Sequence, residues 1–163
     1  MHDIIISYFQ NFPEGLATFL IAAIPVTELR ASVPIAITVY GMTPFWAWFW
    51  SVLGNTVMGA LVIIIVEPIS RYLIRRIEFL NNLWQCYTDR IYRNNEKKFE
   101  KWGALALVAF VAIPLPVTGA FTGAVAASIF QVPFRKAVPL LFLGCAIAGV
   151  IVAGITQFIT YNL

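Results

Sequence analysis

The sequence is short of the residues that build most active sites, with one histidine, two cysteines and few charges in 163 residues. His2 is the lone histidine. Cys86 and Cys145 are far apart, and no Cys-x-x-Cys occurs, so a structural or catalytic zinc site is not expected. No Ser/His pair, no metal cluster and no second carboxylate near the central ones is present, so neither an enzyme nor a cofactor is expected. The start, Met1-His2-Asp3, lacks a basic run, and a cleaved signal peptide is not expected either. Charged residues make up 12%, against about a quarter in an ordinary soluble domain. So few charges cannot cover a soluble globule. Disorder needs low hydropathy and high charge, and here the chain is 60% hydrophobic with a mean hydropathy of +0.81. What remains is one domain solvated by lipid.

The charges that are present are sorted. Residues 1–66 carry Asp3, Glu14, Glu28 and Arg30, and residues 103–163 carry Arg135 and Lys136. Everything else charged falls in 67–102. Two apolar blocks therefore flank one polar middle, the pattern of an integral membrane protein. The net charge of +3 suits a basic membrane loop better than a nucleic-acid surface.

Each apolar block is punctuated. In the first, Pro25-Val-Thr-Glu-Leu-Arg-Ala-Ser-Val-Pro34 and Gly41-Met-Thr-Pro44 are breaks, and Pro44–Val66 is an uncharged run. As a helix that run covers roughly 35 Å, enough for a hydrocarbon core of about 30 Å. Trp46, Trp48 and Trp50 near its start suit an aromatic belt. Gly15–Ile24 and Ala31–Tyr40 are too short to cross alone. They form either one kinked span or a re-entrant hairpin with Glu28 and Arg30 at its tip. Such backbone is tolerated at membrane depth only where protein or a water-filled cavity surrounds it. The second block repeats the layout, with breaks at Ile113–Gly119 and Phe130–Phe134 and an uncharged span over 137–160. Ala23-Ile24-Pro25 matches Ala112-Ile113-Pro114, and Pro44-Phe45 matches Pro133-Phe134, at an offset of 89; Leu53-Gly54 and Gly59 match Leu143-Gly144 and Gly149 at an offset of 90. This punctuation predicts an internal duplication, and Pro/Gly-interrupted segments in corresponding places point to a transporter-like binding site.

In the middle, Leu73, Ile77, Leu80, Trp84, Tyr87 and Ile91 alternate steps of four and three, with the charges off that stripe. This predicts an amphipathic helix over 67–102 packed on the bundle or lying in the interface. Ten of the eleven Lys and Arg residues lie between Arg71 and Lys136, so this segment is expected on the cytoplasmic side. Four full spans would put Arg135 and Lys136 on the other side. Two re-entrant hairpins with one crossing per half keep them on the same side, make the halves inverted, and leave both termini outside.

Glu28 and Arg30 are the charges inside the first apolar block, and an intramembrane ionisable residue is a functional candidate by default. At i, i+2 they would diverge on a regular helix and share a face on extended backbone. Glu28 either takes a proton or pairs a cation, or it caps a half-helix; Arg30 either binds an anionic group or pairs with Glu28. In the second break, Pro114 and Pro116 remove donors, and Gly119 and Gly123 let backbones approach. A half-helix beginning near Thr118 would aim its N–H groups at the midplane, toward an anionic ligand or Glu28. Gly119-x-x-x-Gly123 is also a helix-packing pattern. Asn55, beside Gly54, needs a partner in lipid and is expected to face the hairpins.

Pro25-x-x-Glu28-Leu-Arg30-Ala-x-x-Pro34-x-Ala36-Ile37, then Gly54-Asn55, then Ile113-Pro114-x-Pro116-x-Thr118-Gly119-Ala120-Phe-x-Gly123 resemble the small multidrug export protein family over nearly the whole chain. That family looks like a distant relative of DedA membrane proteins, which are associated with lipid-carrier transport, membrane-potential maintenance and drug tolerance. Two positions depart from the pattern, Val117 where Gly would stand and Phe121 where Trp would. The resemblance implies a transporter. The fold expected is all-α: two inverted repeats (14–66 and 103–160), each a re-entrant helical hairpin plus a transmembrane helix, joined by the amphipathic helix 67–102. The expected function is export of a small molecule or lipid phosphate across the cell membrane, with Glu28 and Arg30 as coupling and binding pair. Asn55, Pro114, Pro116, Thr118 and Gly119 complete the candidate site. An uncoupled lipid scramblase and a membrane assembly factor are the alternatives. Small residues such as Gly144, Gly149 and Gly154 permit close helix contacts, and a homo-oligomer is expected.

Overall fold

Uncharged runs bounded by Pro and Gly become helices bounded by breaks. The computed structural model describes residues 13–76, 96–113, 119–130 and 132–162. Six helices occur among them: α1 (Glu14–Ala23), α2 (Glu28–Thr38), α3 (Pro44–Arg76), α4 (Glu96–Ala112), α5 (Ala120–Ile129) and α6 (Phe134–Asn162). α1 stops before Pro25 because a residue preceding proline is pushed out of the helical region, and the Ile24 backbone is extended. Pro44 opens α3 with a ring that suits a first turn. α3 and α6 are long and apolar enough to cross a membrane, over Pro44–Ile69 and Phe134–Asn162.

The first long helix does not end where its apolar run ends. It continues through Glu67 and Pro68 to Arg76, and α4 already begins at Glu96. Both ends of the expected amphipathic segment therefore belong to the neighbouring helices. Residues 77–95, most of that segment, lie outside the described residues, as do Pro114, Pro116 and Thr118. The tryptophans also differ from a simple belt. At i, i+2, i+4 on a helix, side chains swing by about 200° per step. Trp46 is exposed, the Trp48 indole donates to the Ala146 carbonyl at 3.0 Å, and Trp50 lies against Gly15.

Packing runs across the two halves as well as within them. α1 packs on α3, and α4 on α6. α2 packs on α6, the long helix of the other half, and α5 packs on α3. The two long helices pack on each other. Glycines set these contacts at matching places. A side chain at Gly54 would strike the Phe19 carbonyl oxygen on α1; one at Gly144 would lie 3.2 Å from the Val108 carbonyl oxygen on α4. A Cβ at Gly59 would lie 3.1 Å from Leu141, and one at Gly149 would lie 3.1 Å from Val52. The core between the halves holds Val33, Val52, Ile63, Val111 and Leu141. Outward positions such as Ile65, Val150 and Phe158 are exposed, as the lipid-facing surface of a membrane protein requires.

Candidate functional site

The site is built where the break between α1 and α2 meets the start of α5. Glu28 begins α2 with φ +48°, a left-handed conformation uncommon outside glycine and costly for a side chain. Its own N–H donates to the Ile24 carbonyl at 3.0 Å, and the Thr27 hydroxyl donates to the Ile21 carbonyl at 2.6 Å. These bonds close the chain tightly around Pro25 and turn the Glu28 side chain inward.

Glu28 is 7% exposed. Its carboxylate lies directly against Gly119, where any side chain would collide with it. Oε1 accepts the Phe121 N–H at 3.3 Å. The Gly119 N–H donates to the Thr122 hydroxyl at 2.9 Å, completing the first turn of α5. Helix α5 starts at Ala120 after Gly119, and its Phe121 N–H is the one shown on Glu28. Glu28 makes a capping contact through the Phe121 N–H and pairs with the Arg30 cation as well. The carboxylate satisfies a donor that helix geometry leaves open, and it meets the positive dipole end.

Arg30 is placed differently. Its guanidinium is 3.8 Å from Glu28 Oε2, a long ion pair, and its side chain is 24% exposed. The pair forms neither on extended backbone nor on a regular helix. Both residues stand in the first turn of α2, and their long side chains meet there only at 3.8 Å. Beyond the pair, Arg30 lines a cavity of about 400 Å³ between α2 and α6. Arg30, Pro34 and Thr38 form the α2 wall at successive four-residue steps; Val152, Ile155, Thr156, Ile159 and Thr160 form the α6 wall at helical spacing. The Thr38, Thr156 and Thr160 hydroxyls donate to the carbonyls of Pro34, Val152 and Thr156 in their own helices, at 2.8, 2.8 and 2.9 Å. The walls are therefore apolar, with Arg30 at one end. This cavity was not legible in the sequence, because residues around 152–160 carry no charge and read as plain span.

Asn55 is 2% exposed and stands on α3 beside Thr56 and the buried Cys145 thiol of α6. Four residues before it, the Ser51 hydroxyl accepts a hydrogen bond from the Ser32 hydroxyl at 2.7 Å. Ser32 is four residues after Glu28. Helices α2 and α3 pack on each other through this pair. The structure thus brings Glu28, Arg30 and Gly119 together, and places Asn55 against the Cys145 thiol. Among the described residues no group of three or more His, Cys, Asp or Glu could hold a metal.

No curated protein and no solved structure matches the chain. One family does, described as putative small multi-drug export protein, and its match covers residues 28–151. The matched stretch begins at Glu28 itself and takes in Arg30, Asn55 and Gly119. A lipid-solvated composition, two helices of spanning length and this match agree, and the chain belongs to the small multi-drug export family of membrane proteins.

Proposed function

We propose that this chain is an export carrier made of two inverted halves in the cell membrane, with the α1–α2 and α4–α5 hairpins re-entrant and α3 and α6 crossing. The reading puts the basic middle on the cytoplasmic side and both termini outside. Family membership supports transport. The reciprocal packing of each half's second short helix on the other half's long helix supports the repeat, as do the matched glycine approaches. In this reading the cargo is a small molecule or a lipid phosphate, Arg30 binds its anionic group, and Glu28 couples the movement to a proton or ion.

The observation that carries the proposal is Arg30, a cation held at the end of an apolar cavity of about 400 Å³. That volume falls in the range of small-molecule sites. A guanidinium in an apolar wall suits a planar or tetrahedral oxyanion. The side of the cavity between α2 and α6 also suits an uncoupled lipid scramblase, so the experiment must separate the two.

Purified protein in liposomes would be tested with NBD-labelled phosphatidic acid and with the cationic dye ethidium, with and without a pH gradient. The carrier reading expects the anionic probe to cross faster under the gradient and Arg30→Gln to abolish that movement. Equal movement without the gradient assigns a scramblase. Movement of neither probe above the protein-free rate overturns transport of these classes.

A further inference from the structure

The two short hairpins differ at their bases. In the first, α1 and α2 are clasped. The buried Thr18 hydroxyl of α1 donates to the Met42 sulfur at 3.4 Å, and the Met42 N–H donates to the Ala36 carbonyl of α2 at 2.9 Å. In the second, α4 and α5 touch near Gly123, where an added Cβ would lie 2.5 Å from Val111, and then part. A groove of about 380 Å³ opens between them, lined by Gly103, Ala106, Leu107 and Phe110 on α4 and by Ala126 and Phe130 at α5. At the sequence offset of 89, Gly103 and Leu107 correspond to Glu14 and Thr18. The groove therefore occupies the place that the Thr18–Met42 clasp fills in the first hairpin.

The flanks differ in the opposite sense. α2 leaves the cavity of about 400 Å³ against α6, with the exposed Thr38 in its wall. α5 is drawn in against α3. Ala120, Ala124 and Ala127 are buried in the core with Val62 and Ile63, and a Cβ on Gly59 would lie 3.6 Å from the Ala120 carbonyl oxygen. Ala127 is the counterpart of Thr38 at the same offset. So α2 lies with its hairpin partner and stands off the opposite long helix, while α5 lies on the opposite long helix and stands off its hairpin partner.

An inverted repeat has two such arrangements, related by exchanging the roles of its halves. The exchange opens spaces of the same kind as those it closes, so only the sequence differences between the halves separate the two in energy. Packed helices pass between discrete arrangements of this sort by small sliding movements. We propose that this structure is one of two exchanging states, and that α2 and α5 move together as a rocker. In the other state α2 swings onto α6, closing the Arg30 cavity and opening a groove beside α1. At the same time α5 swings back onto α4, closing its groove and opening a cavity against α3. The pivot is the contact at the starts of the two helices, where Glu28 accepts the Phe121 N–H. The proposal rests on the inverted halves of the reading above and not on the cargo.

The test is pulsed electron paramagnetic resonance on the full chain in phosphatidylcholine nanodiscs, with Cys86→Ser and Cys145→Ala as background and spin labels on paired cysteines. The labelled positions are exposed: Val39 with Tyr161 reports the α2–α6 gap, and Leu105 with Ile129 the α4–α5 gap. Each pair is expected to give two distances, the longer from this structure and the shorter from the exchanged state. Met42→Ala removes the clasp and is expected to raise the shorter-distance fraction at least about threefold in both pairs. Ala106→Phe fills the α4–α5 groove and is expected to abolish the shorter distance in both pairs, although residue 106 and α2 lie in different halves. If that variant fails to fold, Ala126→Leu, from the other wall, decides in its place. A single distance in each pair, unchanged by Met42→Ala, means that the halves differ only as fixed structures and overturns the proposal. A filled groove that removes the shorter Leu105–Ile129 distance and leaves the Val39–Tyr161 distances as they were also overturns it, because α2 and α5 then move independently. Coupled distances with neither transport probe crossing liposomes sink the export reading alone; probe transport with single fixed distances sinks the rocker alone.

Discussion

The start of α2 and the start of α5 meet in the fold and bring opposite chemistry to the contact. The start of α2 holds Glu28 and Arg30. The cap of α5, Gly119, presents no side chain at all. Around them the packing is shared: each half's second short helix lies on the other half's long helix. The difference teaches how two parts of the chain divide the labour of one contact. One half supplies a carboxylate, and the other supplies the bare helix end that receives it. Neither part of the contact works alone, because a buried charge without partners is strongly unfavourable.

The largest effect expected from breaking this contact is at Gly119. A methyl group there collides with the Glu28 carboxyl, so Gly119→Ala must displace a buried charge from its donor. A loss of about 3 kcal/mol or more is expected, read as a lowered unfolding midpoint in nonionic detergent. Next come the matched glycines of the long helices. Gly54→Ala and Gly144→Ala are both expected to destabilise, by about 1–3 kcal/mol. Gly54→Ala should cost more, since its methyl meets a backbone carbonyl head-on while that of Gly144 meets the Val111 side chain at 2.7 Å first. Equal melting shifts would show that the two halves are packed alike; an order reversed from this would contradict the contacts. Smaller again is the serine pair. Ser32→Ala should cost about 1 kcal/mol, and the double variant with Ser51→Ala less than the sum of the two single losses, because no hydroxyl is then left alone. Least is expected at Gly154, which has open space around it. Gly154→Ala should raise stability by up to about 1 kcal/mol through helix propensity, and a clear loss there would point to a contact with another chain.

Much of the frame could be read from rare residues. Pro25 and Pro44 mark the end of α1 and the start of α3, because proline restricts its own backbone and that of the residue before it. The end of α3 could not be read this way. Loss of hydrophobicity at Glu67 marks a change of solvent, while helix persists through Pro68 to Arg76. Glu28 and Arg30 stood out as charges in an apolar block, and Asn55 as an amide needing company. How they are joined was not legible. Glutamate does not announce a positive φ, and its contact with Gly119 links positions about ninety residues apart in the chain. The groove below Arg30 was hidden for another reason: its α6 wall is made of Val, Ile and Thr, which differ little from residues facing lipid.

The most direct test of the contact between the halves is a thermal-unfolding cycle in detergent over wild type, Gly119→Ala, Glu28→Gly and the double variant. Glycine at 28 removes the carboxyl and tolerates the left-handed backbone. If the Glu28 carboxyl rests on Gly119, the double variant will be more stable than Gly119→Ala alone, since the methyl then has room. Losses that simply add would place the carboxyl elsewhere and contradict the account.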